Sequence, residues 1–190
     1  MQILQIGCNN GKDHVLEFVK QNFLSITKLI LVDASFDAIE LCKKTYKDFL
    51  FCDFLMSAVT HFETDFIEIH MPTGHESSEH ISVNKNHLVR HHHKNIKTST
   101  VPAISINNLF EKYNLNNLDR LYIDTEGLDV QLIQALDFNK FKIKYIQYEH
   151  AHSEGPFITN GINYNLCINK LLNYNYKIKS NGTDTIAFTE

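Results

Sequence analysis

Along the chain, apolar runs of strand length alternate with amphipathic stretches of helix length, the pattern of a parallel α/β sheet rather than of a sandwich or a bundle. MQILQI (1–6) reads as the first strand and KLILVD (28–33) as the second. Between them, KDHVLEFVKQNF carries Val15, Leu16, Phe18, Val19 and Phe23 at helical spacing. SFDAIELCKKTY follows, with Ser35 placed to cap a helix whose Phe36, Ile39 and Leu41 face inward. A third strand falls within 49–60, its register open, and DFIEIHMP is an extra strand. NNLFEKY is a helix, DRLYID the fourth strand, LDVQLIQAL a helix and IKYIQYE the fifth strand. A last helix in NYNLCINKLLNY leads to YKIKSNGTDTIAFTE, two strands around Asn181-Gly182, which is a strong hairpin signal. Residues 73–100 are polar, His-rich and poor in period. They are expected to be a long excursion over one face, a mobile lid on the acceptor side within a single domain spanning 1–190.

Composition removes several function classes. With 190 residues, 43% of them hydrophobic, the chain can bury the core of one soluble domain. No apolar run approaches the roughly 20 residues that span a bilayer, and the N-terminus has no leader-like segment, so a cytoplasmic protein without membrane association is expected. Cys8, Cys42, Cys52 and Cys167 show no C-x-x-C spacing and read as buried reduced thiols. A net charge of −4 gives no global basic footprint for nucleic acid.

The first strand ends in QIGCNNGKD (5–13), where Gly7 and Gly11 bracket Asn9. A glycine turn between a strand and a helix N-terminus lets backbone approach a ligand and is expected to aim free N–H groups at it. The dinucleotide fingerprint has three glycines, G-x-G-x-x-G, because a pyrophosphate presses on the chain. G-x-x-x-G favours a cofactor without phosphates. Asp33 ends the second strand 22 residues beyond Gly11 (33 − 11 = 22), where a carboxylate can accept from both hydroxyls of a ribose. A nucleoside cofactor without pyrophosphate is S-adenosylmethionine.

QIGCNNG, LVDAS, LYIDTEGLDVQLIQAL and IQYEH stand in an order and spacing that resembles the FkbM-type methyltransferases, with YIDTEG the most specific stretch. The resemblance covers nearly the whole chain. It implies a class I methyltransferase fold, a mostly parallel seven-stranded sheet of order 3-2-1-4-5-7-6 with an antiparallel C-terminal hairpin. It also implies methyl transfer from S-adenosylmethionine, commonly to a hydroxyl oxygen of a sugar-like or polyketide-like small molecule. Gly7, Asn9 and Gly11 match the family's glycine loop, Asp33 with Ala34 its ribose segment, and Asp124, Glu126 and Gly127 its fourth-strand motif. For the adenine amino group, Asp53 is one candidate; the family register gives Met56 and Ser57, which we prefer. The chain departs from the family at Gln5, where an Asp is usual, at Tyr122, where Lys is frequent, and in beginning at the first strand.

Asp124 and Glu149 should end neighbouring strands, close enough that they must share a proton or a cation. Asp124, Glu149, His150 and His152 are the candidate bases. Asp124 with Glu149 is a candidate Mg²⁺ or Mn²⁺ site. Glu126 could instead complement a helix dipole, and Asp129 reads as a solvated helix residue. His91, His92 and His93 are consecutive, which is poor geometry for three ligands on one ion. Lys85, Arg90, Lys94 and Lys97 make the one locally basic stretch and point to an anionic acceptor. Two rival readings are a methyltransferase-fold protein that binds without catalysis and a nicotinamide-dependent oxidoreductase.

Overall fold

The structure, a computed structural model, describes residues 1–73, 81–155 and 158–189. β1 (Gln2–Ile6), β2 (Lys28–Asp33) and β3 (Cys52–Met56) are joined by α1 (His14–Asn22) and α2 (Phe36–Thr45). β4 (Ala58–Thr60), β5 (Phe66–Pro72), α3 (Lys85–Arg90) and β6 (Ile96–Ser105) follow. Next come α4 (Ile106–Lys112), β7 (Asn117–Ile123), α5 (Asp129–Ala135), β8 (Lys142–Glu149) and α6 (Ile162–Asn173), and the chain closes on β9 (Lys177–Asn181) and β10 (Asp184–Phe188).

Among the described residues the main sheet runs β3-β2-β1-β7-β8-β10-β9. Counting only its own strands, that is the expected order 3-2-1-4-5-7-6, parallel as far as β8 and antiparallel at β10 and β9. Its inner strands are continuous apolar runs because both faces are covered. Ile3, Leu29 and Leu31 pack with Val15, Val19, Ile39 and Cys42 on the α1–α2 side. Leu4, Ile6, Ile30 and Val32 point the other way, into a larger core with Leu109, Phe110, Leu132, Ile133 and Leu171 from α4, α5 and α6. Burying such a side chain is worth about 1.5–3 kcal/mol, so the two faces clamp the central strands. Helix starts follow local chemistry: Asp13 Oδ1 accepts from the amides of Val15 (2.9 Å) and Leu16 (3.2 Å), and Ser35 Oγ accepts from Ala38 (3.3 Å).

Three expectations change. First, β4, β6 and β5 form a second sheet in that order, with β6 parallel to β4 and antiparallel to β5. β6 therefore occupies the end of the stretch read as an excursion; half of its residues are exposed and only Ser105 is buried, so IKTSTVPAIS has no apolar stripe to reveal it. Second, the rest of the described excursion is tied down. Ser82 and His70 exchange backbone hydrogen bonds at 2.8 and 3.1 Å, and Ser82 Oγ donates to the Glu126 carbonyl at 2.9 Å. These bonds join Ser82 to β5 and to the loop after β7, while 74–80 lie outside the described residues. Third, the hairpin turn is Gly182-Thr183, since Asn181 still pairs with Asp184; Gly182 takes φ +62° at the first central position.

Candidate active site

β1 and β7 meet at the point where the strand order reverses, and the backbones there are close. Gly7 has φ +80°, and a Cβ added to it would stand 2.7 Å from the Asp124 carbonyl carbon and overlap its oxygen. The close approach of the neighbouring strand by itself requires a glycine here. Nor are the loop amides free, as the sequence had implied. Gly7 and Cys8 both donate to the Val32 carbonyl (2.8 and 3.1 Å), Gly11 donates to Cys8 (2.8 Å), and Asn9, with φ +43°, donates to Asp33 Oδ2 (2.8 Å). With these four N–H groups spent internally, the loop offers mainly shape and carbonyls. That suits a cofactor without phosphates better than a pyrophosphate.

Gly7, Asn9, Asp33, Ala34, Ser57 and Asp124 line one cleft of about 350 Å³, within the range of small-molecule sites. Asp33 takes one amide on each oxygen, Asn9 on Oδ2 and Ser35 on Oδ1 (2.8 Å each), which leaves lone pairs for further donors. Burial pushes its carboxyl above the usual range against these amides, which favour the charged form. The register of β3 separates the adenine candidates. Met56 pairs with Asp33 at the carboxyl edge, whereas Asp53 pairs with Ile30, three residues back, and does not line the cleft. Ser57 lines the cleft and donates its amide to the Asp33 carbonyl at 2.8 Å. Met56 is not in the lining; it packs toward the α1–α2 core. Gly11 stands behind the loop against Tyr46 and Cys42.

On the other side of Asp124 lies a small cavity of about 70 Å³ lined by Gln5, Asp13, Asp124, Gln147, Glu149 and Asp184. Gln5 is 3% exposed; its Nε2 donates to Asp13 Oδ2 at 2.6 Å, and its Oε1 has no partner among the described residues. The carboxylate missing at position 5 is thus supplied from the helix cap by Asp13. An orphaned buried acceptor among carboxylates is a place for a cationic donor. Asp124 is pushed up to about 8, first by burial and then by Asp129 and Glu126. Glu149 is pushed up to about 8, first by burial and then by Asp124. Asp124 follows the last residue of β7 and Glu149 ends the neighbouring parallel strand β8, so both acids stand at one sheet edge and line this cavity. His150 does not join them: its Nδ1 is 3.1 Å from Thr185 Oγ1 and its ring packs on Tyr164.

The loop after β7 departs from its sequence reading. Asp129 is 2% exposed, not solvated; its Oδ2 accepts from Thr125 Oγ1 at 2.7 Å and its carboxylate also faces the Thr125 amide. Burial pushes it up to about 6 despite these bonds. Glu126 adopts φ +54° and its Oε2 is hydrogen-bonded to His87 Nε2 at 2.7 Å, so its partner is an imidazole rather than a helix dipole. His87 was missed in the sequence, although His87 and His91 lie four apart, the spacing that puts two imidazoles on one helix face. Asp124 and Glu149 are not part of a three-ligand group among the described residues; such ligands gather instead at His87, His91, Glu126 and His152. Lys85, Arg90, Lys94 and Lys97 are exposed, and none lines the cleft.

Comparison with known proteins agrees with this architecture. No curated protein sequence matches the chain. Among solved structures, the methyltransferase FkbM from Methylobacillus flagellatus KT matches over 99% of this chain and 43% of its own, with TM-score 0.56 and 8% identity, a likeness of fold. Aeropyrum pernix fibrillarin, solved with natively bound S-adenosyl-L-methionine, matches 98% of this chain and 65% of its own, with TM-score 0.48 and 11% identity. The chain therefore spans less than half of the FkbM structure it resembles. The family model described as "Methyltransferase FkbM domain" matches residues 2–178. With that match over nearly its whole length, and with the class I sheet order, the chain belongs to the FkbM-domain methyltransferase family.

Proposed function

We propose that this protein transfers a methyl group from S-adenosylmethionine to a hydroxyl oxygen of a sugar-like or polyketide-like small molecule. The observation that carries the reading is the continuity at the β1–β7 switch point: a cleft with Asp33 on one side of Asp124, and an acid cavity holding the orphaned Gln5 Oε1 on the other. The two halves suit the two ends of the cofactor. Asp33 accepts from the ribose hydroxyls, with Ala34 and Ser57 beside the adenine. Gln5 Oε1 and Asp13 accept from the methionine ammonium, and Gly7 lets Asp124 approach between them.

When bound, S-adenosylmethionine supplies a methyl group on a positively charged sulfur. That methyl would pass to the acceptor oxygen, the electron pair of the broken bond remaining on sulfur, while a carboxylate of the chain would receive the hydroxyl proton. Asp124 and Glu149, held up near 8, are suited to take a proton near neutral pH. Aligning oxygen, carbon and sulfur is the larger contribution, up to about 7–11 kcal/mol in favourable cases. Proton removal adds roughly 10²- to 10⁴-fold.

The test is methyl-labelled S-adenosylmethionine incubated with hydroxylated sugars and polyketide-like acceptors, with products analysed for the linkage formed. An ether methyl whose formation falls about 100-fold in Glu149→Gln, with S-adenosylhomocysteine affinity kept, is the expected result. Label transferred to nitrogen or carbon overturns the O-methylation reading. Cofactor binding without any transfer favours the non-catalytic alternative.

A further inference from the structure

Behind the cleft, three imidazoles and a carboxylate converge from three separate parts of the chain. His87 and His91 come from one face of α3 and its C-cap, Glu126 from the loop after β7, and His152 from the loop after β8. One ligand atom from each lies within 4.8 Å of all the others. The rings are packed: centroids of His87 and His152 are 4.4 Å apart, His87 and His91 4.5 Å, and His91 and His152 5.7 Å. His87 is 1% exposed and His152 7%, so these are not surface histidines that happen to meet.

We propose that His87, His91, Glu126 and His152 bind one divalent transition-metal ion of the zinc class. Ligands at about 2.0–2.2 Å from a tetrahedral zinc stand roughly 3.3 Å from one another. The present spacing therefore needs side-chain contraction of no more than about 1.5 Å. The donor set selects the metal: imidazole nitrogens with a single carboxylate, and no thiolate, suit Zn²⁺ and its neighbours rather than Mg²⁺ or Ca²⁺. Glu149 Oε2 stands 3.7 Å from His152 Nε2, a carboxylate near enough to close onto the imidazole as an outer partner once Nδ1 holds the ion.

The ion has a physical task in this fold. The residues just before α3 form a wall of the cleft through Ile81, Ser82 and Val83, and the helix that follows them is only six residues long. So short a helix has little stability of its own. A metal joining His87 and His91 to Glu126 and His152 pins that wall to the carboxyl ends of β7 and β8. Glu126 lines both the cofactor cleft and the cavity of about 230 Å³ that His87 and His152 border, so the ion sits where the two spaces meet. The inference concerns a site separate from Asp33 and Gln5, and it stands whether or not the acceptor assigned above is right.

The experiment uses the full chain, stripped with chelator and then titrated with Zn²⁺ alone by calorimetry, with Co²⁺ spectra in parallel. One equivalent with sub-micromolar affinity, and a Co²⁺ spectrum of low coordination number with nitrogen ligands, is expected. His87→Asn with His152→Asn should weaken Zn²⁺ at least about 100-fold. His91→Gln, at a less buried position, should weaken it about 10-fold or more and serves if the double variant fails to fold. Asp124→Asn should leave the stoichiometry at one. No Zn²⁺ binding by the stripped wild type, or undiminished binding in the histidine variants, overturns the proposal. So does loss of binding in Asp124→Asn alone, which would return the ion to the Asp124–Glu149 edge. S-adenosylhomocysteine affinity measured on the same samples reports on the cofactor cleft and separates failure of the metal site from failure of the methyltransferase reading.

Discussion

Gly7→Ala is the sharpest perturbation of the switch point. The residue sits at φ +80°, where an L side chain costs about 1–2 kcal/mol. The new methyl would overlap the Asp124 carbonyl oxygen, the atom nearest to it, so β1 and β7 must part by roughly 1.5 Å before ordinary contact is restored. Neither strand can yield easily. Gly7 is tied to Val32 and Asp124 to Ile6 by backbone hydrogen bonds of 2.8 and 2.9 Å, and both strands are clamped by helices on their two faces. Forced repacking of this kind costs about 1–3 kcal/mol and a broken backbone bond about 0.5–1.5 kcal/mol. The total is about 3–6 kcal/mol, which for a domain of this size lowers Tm by on the order of 10 °C. Urea unfolding and thermal melts read the stability, and titration with S-adenosylhomocysteine reads the cleft; both should suffer, affinity by tenfold or more. A Gly7→Ala protein with wild-type Tm would refute the close approach of β1 and β7 as the reason for this glycine.

Asp33→Ala should lower S-adenosylhomocysteine affinity at least tenfold, because two hydrogen bonds to a charged group, each worth about 1.5–3 kcal/mol, are lost; wild-type affinity by calorimetry would contradict the ribose placement. Burial raises the Asp33 pKa and only the carboxylate accepts from both hydroxyls, so affinity should fall on acidification, starting at a higher pH than for an ordinary aspartate near about 3.9. An affinity unchanged down to pH 4 would oppose this. Asp124→Asn should cut turnover by roughly 10²-fold or more while circular dichroism stays native, since the amide keeps the shape and loses the charge. Asp129→Ala should cost about 1–3 kcal/mol in urea unfolding, as it leaves the Thr125 amide and hydroxyl without their buried acceptor; a neutral substitution would return Asp129 to the solvated role its sequence suggests.

The main sheet was legible because its inner strands are buried on both sides and so read as continuous Ile, Leu and Val runs, as in KLILVD (28–33). β6 was not, because this strand of the small second sheet exposes half of its residues, buries only Ser105 and carries no apolar alternation. Gly7 announced a turn, but its cause is Asp124, a residue 117 positions away in sequence (124 − 7 = 117) that only the strand order brings beside it. The histidines show the same limit. His91, His92 and His93 drew notice by adjacency, whereas the structure gathers His91 with His87 on the helix face and with Glu126 and His152 from distant loops. Asp129 reads as a solvated helix residue from its own neighbours, and only the fold of the TEGLD loop shows it buried against Thr125. Ser35, which acts within one turn of the chain, was readable as a cap from its own neighbours, whereas the Asp13 cap of α1 came only with the structure.

The central claim, a nucleoside cleft built for a cofactor without phosphates, is tested most directly by calorimetric titration of the full chain with S-adenosylhomocysteine and with NAD under identical conditions. Micromolar binding of S-adenosylhomocysteine at one site, weakened in Asp33→Ala, with no heat from NAD, is the expected result. Binding of NAD in preference to S-adenosylhomocysteine, or S-adenosylhomocysteine binding indifferent to Asp33, would contradict it.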